Sequence, residues 1–158
     1  MSQLSDAAPE ADFLDAPRDR HLSALYAWWQ TKRGARPMPC RADFDPSEFK
    51  KLLPNIFMYD VGPTPGAFSV RLIGERLREF IGQNVRGKPA GSTFDRDAAS
   101  ALIRILQLTV ERRAPVFRTG SAYFSRDKRY KKFESCLLPL SADGETVSVI
   151  LGAVQVTR

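Results

Sequence analysis

The sequence predicts an α+β fold, with five strands in one antiparallel sheet, helices packed on one face, and a flanking helix ahead of it. Three observations predict this. Five segments carry apolar residues at strand length and spacing. Tight turns or a single helical crossing join them, as suits antiparallel neighbours. Two longer segments repeat apolar residues at the spacing of one helix face.

Residues 1–17 hold Ala, Asp, Ser and Pro with little apolar bulk and read as a flexible tail. From Arg18 to about Arg33, Leu22, Leu25, Tyr26 and Trp29 fall at i, i+3, i+4, i+7, with Trp28 at the edge of that stripe. Gly34 and Pro37 stop this helix. Asp45-Pro46 starts a short helical piece that Pro54 ends. Asn55–Val61 and Phe68–Ile73 read as strands of a hairpin across Gly62–Gly66. Gly74–Gly82 reads as a short helix with Leu77, Phe80 and Ile81 inward.

After a loop punctuated by Gly82, Gly87 and Gly91, Ser92 or Asp95 caps a long helix to about Arg113. Its expected inner face is Ala98, Ala99, Leu102, Ile103, Leu106 and Val110. Val116–Phe124, Tyr130–Leu138 and Thr146–Val156 finish the chain as strands, joined at Arg126–Lys128 and Ala142–Gly144. The expected organisation is a tail over 1–17, the flanking helix over 18–36, and the sheet domain over 37–158.

Composition narrows the function. The 158 residues suit one domain with one core, at 43% hydrophobic. No run of about 18 apolar residues occurs, so no membrane span is expected. The acidic start lacks a basic, apolar leader, so the expected compartment is the cytoplasm. Cys40 and Cys136 stand far apart and read as free thiols. With His21 the single histidine, neither a zinc site nor a His-based catalytic triad is expected. No GxSxG, GxGxxG or GxxxxGK[ST] occurs. A binding module is therefore favoured over an enzyme. The net charge of +6 suits an acidic partner, nucleic acid or an anionic membrane surface.

Four stretches then carry a resemblance. They are Leu25–Pro46 (LYAWWQTKRGARPMPCRADFDP), Leu52–Val61 (LLPNIFMYDV), Phe68–Lys88 (FSVRLIGERLREFIGQNVRGK) and Tyr130–Val154 (YKKFESCLLPLSADGETVSVILGAV). In these the chain resembles a bacterial, alphaproteobacterial-type family of single-domain PAS proteins. The resemblance implies a five-stranded sheet cupping helices, with roles in ligand sensing, dimerisation and docking to signalling proteins. It brings no catalytic residues.

Two cofactors can be tested against it. PAS domains that ligate haem carry an axial His on the long helix, and Asp95–Arg113 has none. Photosensory flavin PAS domains carry a Cys in a loop corresponding to Gln83–Lys88, which has none. No cofactor is predicted. An unidentified small ligand fits a pocket between sheet and long helix, lined by Phe57, Tyr59, Leu72, Phe80, Phe94, Ile103, Leu106, Tyr123 and Phe133. The plainer reading is that these side chains fill the core.

Two surfaces complete the expectations. Leu22, Leu25, Tyr26, Trp28 and Trp29 offer an interface for self-association or docking. Arg126, Lys128, Arg129, Lys131 and Lys132 form a basic patch amid aromatics, the alternative site for an acidic partner or nucleic acid. The leading function is a non-enzymatic sensor or regulatory module in bacterial signal transduction. A signalling protein partner, in a setting such as a histidine-kinase pathway, and a homodimer are expected; nucleic acid is disfavoured. Glu134 reads as an outward acid paired with an Arg or Lys.

Overall fold

The computed structural model describes residues 12–121 and 132–157. In chain order the elements are β1 (Asp12–Leu14), α1 (Arg20–Arg33), β2 (Ile56–Val61), β3 (Phe68–Ile73), α2 (Glu75–Ile81), α3 (Arg96–Arg112), β4 (Val116–Ser121), β5 (Lys132–Ser141) and β6 (Val147–Thr157). Short 3-10 turns at Arg41–Asp43, Pro46–Phe49 and Leu53–Asn55 link α1 to β2. The strands form one antiparallel sheet in the order β1-β4-β5-β6-β2-β3. The α+β class holds, with six strands where five were expected.

The sixth strand lies inside the stretch read as a tail. Asp12, Phe13 and Leu14 pair with Thr119, Arg118 and Phe117 of β4. The outer edge of β4 offers unpaired amides and carbonyls to any extended segment that reaches it. Composition could not show this, because backbone groups supply the pairing.

Alternation along β5 separates the two faces of the sheet. Glu134 Oε2 accepts from the backbone N–H groups of Arg18 (2.6 Å) and Asp19 (3.0 Å) at the start of α1. Cys136, on the same side, feels Asp19 electrostatically. Phe133, Ser135 and Leu137 point the other way, toward α2 and α3. So α1 covers one face, and α2 with α3 cover the opposite one.

Helix α1 forms where its sequence places it. Asp19 Oδ1 accepts from His21 N and Leu22 N at 2.8 and 3.0 Å, satisfying amides that a helix start leaves open. Leu22, Leu25, Trp28 and Trp29 are buried. Each contributes roughly 1.5–3 kcal/mol in transfer terms. Trp29 Nε1 donates to the Pro139 carbonyl at 2.8 Å. Tyr26, half-buried, meets Phe117 edge-on at 4.7 Å between ring centres. Trp28 packs on Phe44 at 5.4 Å and Phe49 at 6.4 Å, holding down the Arg- and Pro-rich linker.

Strand β5 continues past the expected end at Leu138 to Ser141. The last pairing of β4 with β5 is Val116 with Leu137. Beyond it β5 has only β6 as neighbour, with Pro139 opposite Ile150. A proline's missing N–H is tolerated on such an edge.

The second face takes α2 and α3. Gly82 ends α2 in the left-handed region (φ 89°), its N–H donating to the Arg78 carbonyl at 2.8 Å. Asp95 Oδ1 caps α3 at Ala98 N, 2.9 Å. The buried residues of α3 are Ala101, Ile105, Leu106 and Thr109, a stripe rotated from the expected one.

Candidate functional site

Between this second face and the helices lies a mostly apolar cavity of about 110 Å³. Phe57 and Tyr59 of β2 line it from the sheet, with Phe133, Ser135 and Leu137 of β5. Leu77 and Ile81 of α2, Phe94, and Ala98, Ala101, Leu102 and Ile105 of α3 close it from above. Phe57 lies this way because Gly152, its partner on β6, has no side chain. A Cβ at Gly152 would strike the Phe57 ring and come within 2.7 Å of the Cys136 carbonyl.

Polar groups reach the cavity at three points. The Tyr59 side chain is 7% exposed, and burial raises its phenol above the ordinary value. Ser135 is 4% exposed and its Oγ has no hydrogen-bond partner. A buried hydroxyl without a partner costs about 1–3 kcal/mol. Arg118 also lines the cavity, its guanidinium 5.3 Å from the Phe133 ring centre. Arg118 and Ser135 face each other across β4 and β5. Arg118, Ala101 and Ile105 also border an outer groove with Phe13 and Leu108.

Of the residues expected to line a pocket, the structure brings Phe57, Tyr59, Phe94 and Phe133 together. It places four elsewhere. Leu72 is opposite Met58, on the α1 side, because strand alternation separates it from Phe57 and Tyr59. Ile103 lies against the turn at Gly66. Leu106 is fully buried in the core without lining the cavity, and Phe80 is half-buried on α2. Tyr123 lies outside the described residues.

Sequence reasoning missed Ala101, Ile105, Arg118 and Ser135. The first two had a signal, since Ala98, Ala101, Leu102 and Ile105 recur at i, i+3, i+4, i+7. Arg118 and Ser135 had none short of the β4–β5 register.

Leu22, Leu25, Trp28 and Trp29, expected at an interface, are buried against the chain's own sheet and linker. Tyr26 is half-buried there. Of the basic patch, Arg126, Lys128, Arg129 and Lys131 lie outside the described residues, and Lys132 is exposed. Glu134 is corrected: its partners are the backbone amides of α1, because that helix start sits over β5. Arg71 of β3 pairs with Asp60 of β2 at 2.9 Å on the surface.

A six-stranded antiparallel sheet holding a cavity under a short and a long helix defines the α+β architecture of this chain. A family model described as PAS domain matches residues 18–155, and the chain belongs to that family. A search of the curated proteins found no match. PAS domains are sensory and regulatory modules of signalling, generally without catalysis and often engaged with other proteins. Among the described residues, no helix is long and apolar enough to cross a membrane.

Proposed function

We propose that this chain is a bacterial PAS sensor that binds a small, largely apolar molecule between the sheet and α2/α3. Occupancy would pass to a signalling protein. The observation that carries this reading is the cavity of about 110 Å³ with Ser135 Oγ unbonded in its wall. By comparison, an apolar cavity of about 150 Å³ stays dry and takes up benzene.

The route outward runs through β5. Phe133, Ser135 and Leu137 touch the cavity, while Glu134 holds the start of α1 and the Pro139 carbonyl holds Trp29. A ligand that displaces β5 therefore displaces α1. It does so only to the extent that it binds one arrangement better than the other. The exposed side of α1, with Ala24, Ala27 and Gln30, is then the surface that a signalling partner or a second copy reads. The family resemblance makes a histidine-kinase pathway the natural setting.

Native mass spectra of the protein purified from a bacterial host, beside a denatured control, test the reading. An extra mass lost on denaturation, and absent from Ala101→Phe, supports it, because the larger side chain occupies the cavity. The same mass on both proteins would place the ligand elsewhere and overturn it.

A further inference from the structure

We infer that the cavity takes a small uncharged carbonyl compound, a ketone or ester with no O–H or N–H of its own, whose oxygen accepts from Ser135 Oγ. This rests on the ligand-binding reading above and adds the ligand's chemical class.

Ser135 sits in the sheet wall of the cavity. Its neighbours along β5, Phe133 and Leu137, line the same wall, and so does Val154, its partner on β6. The side chain is 4% exposed, and Oγ bonds to nothing. Arg118, its partner on β4, is already engaged, with its guanidinium over the Phe133 ring. A water in this place would want two to four polar partners, and these neighbours offer it the Ser135 hydroxyl. A ligand oxygen carried on an apolar body matches that wall better.

Charge is excluded first. Among the described residues Arg118 is the one charged side chain on the wall, and it is committed. An ionic head would lose its hydration and gain no counter-charge. Donor number then selects among neutral heads. A serine hydroxyl has one O–H to donate. A carbonyl oxygen takes that O–H and brings no donor of its own, so none is left over. An alcohol brings a second O–H and a primary amide two N–H groups, which would face Phe133, Leu137 and Val154 instead of an acceptor. The other hydroxyl of the wall, on Tyr59, is rooted level with Pro139, four residues along β5 from Ser135, or roughly 13 Å. The volume of about 110 Å³ is below the cavity size that admits benzene, which limits the molecule to roughly four to six non-hydrogen atoms.

The test titrates isotope-labelled full-length protein, native and Ser135→Ala, with pentan-3-one, pentan-3-ol and pentane by NMR. The three probes share one carbon skeleton and differ at the head. Saturable shifts are expected at Ala101 and Leu137. The native chain should bind the ketone more tightly than the alcohol. In Ser135→Ala the affinity for pentan-3-one relative to pentane should fall about 5-fold. The substitution itself should keep or raise the melting temperature, because it removes an unmatched hydroxyl. An unchanged ketone-to-pentane ratio, or tighter binding of the alcohol, overturns the carbonyl assignment and leaves the apolar cavity standing. A melting temperature lowered in Ser135→Ala would show Oγ bonded in the empty protein and overturns the assignment too. Absence of binding by all three probes overturns both the assignment and the ligand-binding reading.

Discussion

Burial governs the chemistry of Cys136. The residue is fully buried in β5, and its thiol is pushed up to about 12, first by desolvation. An unfolded thiol ionises near its reference value of 9.0. Between those values the unfolded chain has released a proton that the folded chain keeps. The contribution is thus complete below pH 9 and declines as pH rises toward 12, by up to about 1.4 kcal/mol per pH unit. Tyr59, raised by burial from 10.0, adds a loss of the same sign beginning higher. Urea midpoints between pH 8 and 11 should fall for the native protein and fall less steeply for Cys136→Val. Parallel slopes would remove Cys136 from the account.

The pairing of α1 with β5 is the strongest statement at the scale of elements. Apolar spacing located the helix, its stop at Gly34 and its buried Leu22, Leu25 and Trp29. It could not say what lay beneath them. Facing residues are set by sheet order, which brings β5 against a helix more than a hundred positions earlier. The same limit explains α3. Its extent was readable from Asp95 and the residues before Pro115, yet the inner face was set one step off. Arg118 and Ser135 stayed hidden because only strand register makes them neighbours. Trp29→Phe removes the Nε1 donor together with part of the buried ring, leaving the Pro139 carbonyl unmatched. The expected loss is about 1–3 kcal/mol in urea denaturation. A loss under about 0.5 kcal/mol would show that water replaces the bond.

Across the described residues, the five strands β4-β5-β6-β2-β3 have a further segment bonded along each margin. β1 lies along β4. At the other margin the loop before α3 bonds to β3, through Val70 N to the Lys88 carbonyl at 2.9 Å and Ala90 N to the Phe68 carbonyl at 2.9 Å. Exposed strand margins recruit strands from other molecules. Removing residues 1–14 should therefore make self-association rise with concentration in light scattering, with little change in melting temperature. An unchanged mass across a hundredfold concentration range would show that β1 does not protect β4.

The distance along the chain between α1 and β5 also sets a timetable for biosynthesis. Trp29 and the carbonyl it bonds are 110 residues apart. At translation speeds of about 5–20 residues per second, α1 waits roughly 5–20 s for its seat. A helix forms in about a microsecond, so through that interval its two tryptophans have no strand β5 to pack on. The helix that lies over β5 in the mature fold is the first long element to be made and has to wait for its seat.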